Sequence, residues 1–344
     1  MSAITGVYFM DGRPLDPADL KRMLKTVAHR GPNGSGLWFR GPVGLGHRML
    51  WTTPESLRET LPLIHQTGDL VITADARIDN REELVSLLNI NGRPLGEIAD
   101  SELILRAYEK WGDSCPEKLL GDFAFAIWDA KKKLLFCARD HFGVKPFYYY
   151  RSDHAFIFAS EIKALLSLQE VPRRLNEVRV ADYLMSMLED KEITFYQGIL
   201  RLQPAHCISV TREGAQIRSY WALDPTREIR YNSDGEYADA FREIFTEAVR
   251  CRLRSAFPVG SMLSGGLDSS SIVCVARQLL AQEGSRQLHT FSATFENVPE
   301  CDESQFINAV VARNGLQFHY VPCDQLSPLA GLDTLLAQQD EVFY

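Results

Sequence analysis

The sequence predicts a two-domain protein, an α+β region built on antiparallel strands followed by an α/β region with a parallel sheet. Three observations carry this. The chain has 344 residues, more than one ordinary domain holds. Its first half shows strand-like runs joined by short turns, with helices interspersed. Its last third alternates strand, helix, strand, helix, strand, the order that gives parallel strands with crossover helices. The expected domains are 1–220 and 221–344.

The elements follow in order. "ITGVYF" (Ile4–Phe9) suits a strand. Asp16–Gly31 carries Leu20, Met23, Leu24 and Val27 at helical spacing and ends on Gly31. Asp69–Ile78 alternates like a half-buried strand. Asp100–Gly112 reads as a capped amphipathic helix. Four strand-like runs come next, Phe123–Asp129, Lys133–Asp140, Pro146–Arg151 and Ala155–Glu161, and predict an antiparallel meander. From Pro172 to Pro225, a helical "VADYLMSMLED" and a hairpin turning at Arg212–Gly214 read as a connector. Asn232–Leu253 is a long helix with Tyr237, Phe241, Ile244, Phe245 and Val249 on one face. The parallel region then runs Phe257–Leu263 (strand), Ser269–Leu280 (helix), Leu288–Phe295 (strand), Ser304–Asn314 (helix) and Gln317–Val321 (strand). Three strands make a thin sheet with an unfinished edge.

Composition narrows the function. Hydrophobic residues are 45% and charged residues 24%, the values of an ordinary globular protein. A formal charge of −8 disfavours nucleic-acid binding through a broad basic face. The seven cysteines are scattered, odd in number and without C-x-x-C spacing. They read as free thiols in a reducing cytosol, so a cytoplasmic location is expected. No apolar run reaches about 18 residues, and the N-terminus lacks a basic stretch followed by an apolar core, so neither a membrane span nor a signal peptide is expected.

The chemistry concentrates in "LSGGLDSS" (Leu263–Ser270), at the carboxyl end of a predicted strand, where ligands of parallel sheets bind. Gly265 and Gly266 allow positive φ and close approach. Ser269 and Ser270 open a helix whose unpaired N–H groups favour an anion, and hydroxyls of Ser264, Ser269 and Ser270 add donors. Together with the backbone at Leu267 they form a phosphate cradle. Asp268 is repulsive beside phosphate unless a cation lies between, and Mg²⁺ is the natural bridge. The plainer reading is a Gly-rich turn with Ser and Asp as caps. The full motif in a strand–loop–helix context favours nucleotide binding. No Lys follows the glycines, so this is not the G-x-x-x-x-G-K-[ST] phosphate loop. "GPNGSG" (Gly31–Gly36) follows a helix and reads as a turn.

The loop resembles the pyrophosphate loop of N-type ATP pyrophosphatases. With the N-terminal half, the chain is similar to the glutamine-hydrolysing asparagine synthetase family. The resemblance rests on "AHRGPNG" (Ala28–Gly34), "GLGHRML" (Gly44–Leu50), "LPL" (Leu61–Leu63), "ADSELIL" (from Ala99), "GDFAFAIWD" (Gly121–Asp129), "ARDHFGVKPFYYY" (Ala138–Tyr150) and "FASEIKAL" (Phe158–Leu165), in that order. It implies a class II amidotransferase domain, a four-layer αββα sandwich of the N-terminal-nucleophile type, followed by an incomplete parallel-sheet nucleotide domain. It implies that ATP activates a carboxylate as an acyl-adenylate, and that ammonia cut from glutamine then forms the amide. It places Leu263 and Ala293 against adenosine, Ser264–Ser270 on pyrophosphate and Asp268 on Mg²⁺.

The sequence departs from the family in three places. The family begins Met-Cys-Gly-Ile, and the cysteine's own α-amino group, of pKa about 7.7–8.0, is its base. Here Ser2 holds the nucleophile position, and its hydroxyl is far less acidic than a thiol near about 8.5, so the glutaminase is impaired. The family's Asn-Gly-Glu is here Asp75-Ala76-Arg77, which sets an anion at the oxyanion-hole position. One lost donor costs on the order of 10²–10³ in rate. Ala76 keeps its backbone N–H. Arg48 and Asp100 match the glutamine-holding pair, although a surface ion pair for Arg48 and a helix N-cap for Asp100 fit as well. Lastly, the resemblance places a second acidic Ser-Gly-Glu-Gly-x-Asp loop and a lysine beyond the residues present. Asp340–Glu341 lies where the family has an acidic pair near the second active site; a solvated helix end is the alternative. Asp302 and Glu303 read as helix-dipole acids rather than metal ligands.

The resulting expectation is an ATP- and Mg²⁺-dependent, AMP-forming amide ligase. It would join aspartate or a related carboxylate to ammonia or an amine, with its glutaminase half inactive. Two alternatives stand beside it. One is a paralogue forming a β-lactam or lasso-peptide macrocycle through an internal amine. The other is a catalytically silent nucleotide-binding scaffold. Neither nucleic acid nor membrane is an expected partner, and a homodimer is compatible with the sequence.

Overall fold

The computed structural model describes all residues except 188, 283, 285, 286, 313, 314, 325, 328, 343 and 344. The chain divides into two compact units. The first holds Met1–Trp51, Glu55–Asp224 and Leu336–Tyr344, and the second Thr52–Pro54 and Pro225–Leu335.

In the first unit the strands are β1 (Ala3–Phe9), β2 (Gly34–Arg40), β3 (Val43–Met49), β4 (Leu63–Ile64), β5 (Leu70–Ile78), β6 (Gly121–Asp129), β7 (Leu134–Arg139), β8 (Tyr148–Arg151), β9 (Ala155–Ala159), β10 (Ile199–Arg201), β11 (His206–Thr211) and β12 (Gly214–Ser219). The helices are α1 (Pro17–Thr26), α2 (Arg81–Leu87), α3 (Asp100–Trp111), α4 (Ile162–Leu165) and α5 (Glu177–Leu184). The strands form two six-stranded sheets, ordered β10-β8-β9-β1-β3-β2 and β12-β11-β7-β6-β5-β4.

Side-chain alternation explains the layering, because successive residues of a strand face opposite sides. On β1, Ile4 and Tyr8 point between the sheets, where they meet Leu45, Val71, Ala124 and Phe158. Ala3, Val7 and Phe9 point outward onto Leu20 and Met23 of α1 and Leu165 of α4. On β6, Ala124 and Ala126 face inward, while Phe123, Phe125 and Ile127 pack outward with Leu103, Ile104 and Ala107 of α3. The result is helix, sheet, sheet, helix: the αββα sandwich. Burial on both faces is why these strands read as nearly continuous apolar runs rather than clean alternations. Asp16 caps α1 by accepting from Ala18 N–H at 2.9 Å, and Pro17 occupies its first turn.

The second unit contains α6 (Asp234–Arg252), β13 (Gly260–Met262), α7 (Leu267–Gln282), β14 (Leu288–Thr294), α8 (Ser304–Val311), β15 (Leu316–Pro322) and the start of α9 (Leu332–Gln338). The strands pair in parallel, in the order β13-β14-β15. Val249 of α6 and Leu253 at its C-cap, Val273, Ala276 and Leu280 of α7, and Ile307 and Val310 of α8 close the core over Leu263 and Leu288. Tyr237, Phe241 and Ile244 of α6 remain exposed.

Several expectations change. The four runs between 123 and 161 do not form one meander: β6–β7 and β8–β9 are hairpins of different sheets. The region from Pro172 to Pro225 is not a connector, since β10, β11 and β12 finish the edges of both sheets. The helix expected in "VADYLMSMLED" lies earlier, at Glu177–Leu184, and Leu188 lies outside the described residues. Helix α1 stops at Thr26, and a tighter turn at Ala28–Arg30 leads to Gly31. The predicted strand Phe257–Leu263 shrinks to Gly260–Met262. The expected helix end at 313–314 falls outside the described residues.

Candidate functional site

Two groups of side chains carry the chemistry, one in each unit.

In the first unit Ser2 precedes β1 and is 8% exposed. Its Oγ accepts from Leu50 N–H at 3.0 Å and lies 3.9 Å from Met49 Sδ. Among the described residues no side-chain base hydrogen-bonds it. The Ser2 nitrogen is in a peptide bond to Met1, so the amine that would serve as base exists only once Met1 is removed. Burial lowers the Met1 amino group below its ordinary value, with Asp75 opposing that shift and Arg30 and Lys145 adding to it.

Around Ser2 lies a cluster of buried and partly buried charges. Arg30 Nε donates to Ser2 O at 3.0 Å, and its Nη atoms reach Glu161 at 3.1 Å and Asp75 at 3.7 Å. Lys145 Nζ is 2.9 Å from Asp75 Oδ1. Lys163 Nζ is 3.1 Å from Glu161 and 3.5 Å from Asp340. Three acids (Asp75, Glu161, Asp340) therefore meet three bases (Arg30, Lys145, Lys163), and the cluster is formally neutral, as buried charge requires. Gly31 lets this turn sit against β3: a Cβ there would lie 2.4 Å from the Arg48 carbonyl carbon.

Arg48 and Asp100 are committed elsewhere. Arg48 lies opposite Ala3 in the β1–β3 register, and its Nε donates to Leu24 O at 3.0 Å, so it is not a surface ion pair. Asp100 is not the N-cap of α3. Ala99 is, and the buried Asp100 carboxylate is gripped by Arg81, which also reaches Glu55 at 3.2 Å. No contact joins Arg48 to Asp100 among the described residues. Asp340 and Glu341 are not a solvated helix end either. Asp340 pairs with Lys163, and Glu341 with Arg201 and Phe195 N–H, within the first unit.

In the second unit Leu263 follows β13 and its side chain is buried, so only its backbone is available to a ligand. Ser292 Oγ donates to Leu263 O at 2.7 Å, which sets Leu263 beside the exposed Ala293 at the carboxyl ends of two parallel strands. Gly265 has φ +88°, a left-handed conformation that favours glycine. A Cβ there would meet Phe306 Cβ at 2.9 Å, so this glycine serves the approach of α8 rather than room for a ligand. Gly266 is the open one, with only Ser264 Oγ at 3.5 Å from such an atom. Ser264 and Ser269 hydroxyls lie 3.0 Å apart and close the loop, and Ser270 N–H donates to Gly266 O at 3.1 Å. Leu267 is 87% exposed, and Asp268 in the first turn of α7 is exposed as well. The donors and the helix N-terminus form an open cradle suited to phosphate. One carboxylate fits Mg²⁺, which is commonly held by one or two carboxylates together with substrate phosphates. Among the described residues no group of three His, Cys, Asp or Glu could hold a metal alone. Asp302 accepts from Phe295 N–H and Ser304 Oγ before α8, and the Ser304 hydrogen bond lowers its pKa.

Residues 1–221 match the family described as glutamine amidotransferase domain, well over half the chain. The chain belongs to that family. Residues 240–344 match the family described as asparagine synthase. The chain is 32% identical to Asparagine synthetase (glutamine-hydrolyzing) 3 of Bacillus subtilis over 86% of its own length and 48% of the relative's. It is 31% identical to Putative asparagine synthetase (glutamine-hydrolyzing) 2 of Methanocaldococcus jannaschii, over 93% and 64%. The chain thus spans about half to two thirds of the length of these relatives. Among solved structures it is similar to the glutamine phosphoribosylpyrophosphate amidotransferase of B. subtilis, at 14% identity and TM-score 0.46, covering 92% of this chain and 80% of that one.

Sequence reading missed Arg30, Lys145, Glu161 and Lys163. Each lies inside a quoted family motif, "AHRGPNG", "ARDHFGVKPFYYY" or "FASEIKAL". The signal was present, but a charge inside a motif shows its partner only in three dimensions.

Proposed function

We propose that this chain works in ATP-dependent, AMP-forming amide synthesis, with a nucleotide unit (221–344) that keeps its phosphate loop and an amidotransferase unit (1–220) that no longer hydrolyses glutamine. The observation that carries this reading is the open cradle Ser264–Ser270 at the carboxyl end of β13, with Asp268 at its rim. In that role Ser264, Ser269, Ser270 and the N–H groups around Gly265, Gly266 and Leu267 hold pyrophosphate oxygens. Asp268 holds the magnesium ion that neutralises them, and the Leu263 backbone and Ala293 support the nucleoside. Bound ATP supplies the activation of a carboxylate. Aspartate or a related acid is the substrate class, and free ammonia or an amine attacks it.

Three features support loss of the glutaminase. Ser2 offers a hydroxyl in place of a thiol, without a side-chain base. Asp75 puts an acid where a donor should face the developing oxyanion. Asp100 is occupied by Arg81 rather than left to an incoming α-amino group. Arg48 alone would remain to hold glutamine. No helix among the described residues is long and apolar enough to cross a membrane, and all seven cysteines are free, which supports a reducing, cytoplasmic setting.

ATP–pyrophosphate exchange on the full chain tests this reading, scanning aspartate and related carboxylates with Mg²⁺ and assaying glutamate release alongside. Exchange that depends on one acid, without glutamate release, is the expected result. No exchange with any acid would overturn the ligase reading and leave a nucleotide-binding scaffold. Rapid glutamate release would overturn the loss of glutaminase.

A further inference from the structure

At the end of the sandwich remote from Ser2, three hairpin turns of the first unit surround a cavity of about 460 Å³. The β2–β3 turn brings Arg40, the β6–β7 turn brings Lys131 and Lys133, and the β11–β12 turn brings Arg212. Ser2 and Tyr8 mark opposite ends of β1, and six residues of strand separate them by about 20 Å. The cavity is thus distinct from the charge cluster at Ser2.

Four cations line it and one acid, Asp69, answers them, for a local formal charge of 4 − 1 = +3. The whole chain carries −8. Asp69 is taken by Lys131 at 2.7 Å, so Arg40, Lys133 and Arg212 have no carboxylate among the lining residues. Lys132, in the same turn, points away to Asp129 at 3.5 Å.

Arg212 is exposed, and its guanidinium reaches over Gly12. A Cβ on Gly12 would lie 2.8 Å from Arg212 Nη2, so the glycine clears room for the guanidinium. The Arg212 charge opposes the rise that burial gives the Tyr8 hydroxyl pKa, and the Tyr8 ring is buried edge-on against Trp128 at 5.2 Å. Lys133 is exposed and has φ +51°, the left-handed conformation that closes the β6–β7 turn. Exposed guanidinium and ammonium groups gathered around the buried rings of Tyr8 and Trp128 in one concavity suit a compact, multiply charged anion. An acidic protein surface would need a broader and flatter patch.

We propose that this cavity binds a di- or triphosphate group, supplied by inorganic pyrophosphate or by the phosphate tail of a nucleotide, and that it does so without a metal ion. Its positive charge comes from side chains, so Mg²⁺ bound to the ligand competes with it. The loop at Asp268 behaves in the opposite way.

Calorimetric titration of the full chain with pyrophosphate, tripolyphosphate and ATP, each in EDTA and again with Mg²⁺, tests this. Saturable binding is expected in EDTA, weakened several-fold by Mg²⁺. Lys133→Gln with Arg212→Gln should weaken it at least tenfold, and Asp268→Asn should leave it unchanged. If the double variant does not keep its thermal transition, Arg40→Gln alone serves, with a smaller loss expected. Equal affinity for tripolyphosphate and ATP assigns the site to the phosphates alone, and tighter ATP binding adds the nucleoside. The proposal is overturned by no saturable binding of any of the three in EDTA. It is equally overturned by binding that Asp268→Asn removes or that the cavity variants leave intact.

Discussion

Lys145 Nζ lies 2.9 Å from Asp75 Oδ1; the carboxylate is buried and the lysine partly so. Arg30 stands on the other side of the same carboxylate at 3.7 Å. The acid at the position where the family resemblance expects an asparagine is therefore neutralised by its surroundings. Its two cations are directed at the carboxylate instead of at a bound amide. Much of the behaviour of this cluster should follow from that pair.

Lys145→Met removes one counter-charge from a buried acid. Breaking a buried pair on one side costs about 3–5 kcal/mol, because the remaining charge stays desolvated. Urea denaturation followed by tryptophan fluorescence should show a loss of that size. A loss under about 1 kcal/mol, the level of an exposed pair, would mean that Asp75 is solvated and the cluster is not structural.

Ser2→Cys alone should not restore glutamine hydrolysis, since the ion-paired Asp75 carboxylate would still offer no hydrogen-bond donor to a developing oxyanion. Adding Asp75→Asn restores a donor, and the double variant should release glutamate about 10²–10³-fold faster than Ser2→Cys. If Ser2→Cys alone reaches the rate of the double variant, Asp75 is not the obstacle.

Two groups whose pKa values are shifted by desolvation set opposing pH slopes. His47 is fully buried, and burial lowers its pKa from 6.5 to about 4. Between those values the unfolded chain binds a proton that the folded chain refuses. This contribution is therefore full above pH 6.5 and is lost, by about 3 kcal/mol, as pH falls to 4. Burial raises Glu59 from 4.5 to about 7, partly offset by the Ser101 hydroxyl that donates to it. There the folded chain keeps a proton that the unfolded chain has released, so stability falls as pH rises through that window. Glu59→Gln should therefore gain about 3 kcal/mol at pH 8 and almost nothing at pH 4. A gain of equal size at both pH values would remove titration as the cause.

The two loop glycines should separate by readout. Gly265→Ala meets Phe306 Cβ at 2.9 Å in a left-handed backbone and should destabilise the second unit by about 1–3 kcal/mol. Gly266→Ala meets only Ser264 Oγ at 3.5 Å, so its effect should fall on ATP binding with little change in stability. Thermal unfolding and ATP titration on both variants decide this, and equal destabilisation would contradict the geometry.

Much of this architecture was legible in the residues. The apolar spacing of α1 and α3, the strand–helix alternation around β13–β15 and the hydroxyl-rich loop all follow from local chemistry. What periodicity could not show was partition. β6–β7 and β8–β9 have the same apolar character, and only the facing sheet decides which hairpin joins which layer. The same holds for charge. Asp100 suits an N-cap by position, yet Arg81, nineteen residues earlier, reaches it first. Gly265 suits ligand approach, yet α8 fills the space beside it. Local pattern names the residue types, and long-range packing assigns their partners.

The most direct test of the central claim is a titration of the full chain with ATP in the presence and absence of Mg²⁺, repeated on Asp268→Asn. The expected result is a Mg²⁺-dependent binding mode that Asp268→Asn weakens at least tenfold while the fold is kept. Mg·ATP binding that is absent in the parent chain, or unchanged in Asp268→Asn, would contradict it.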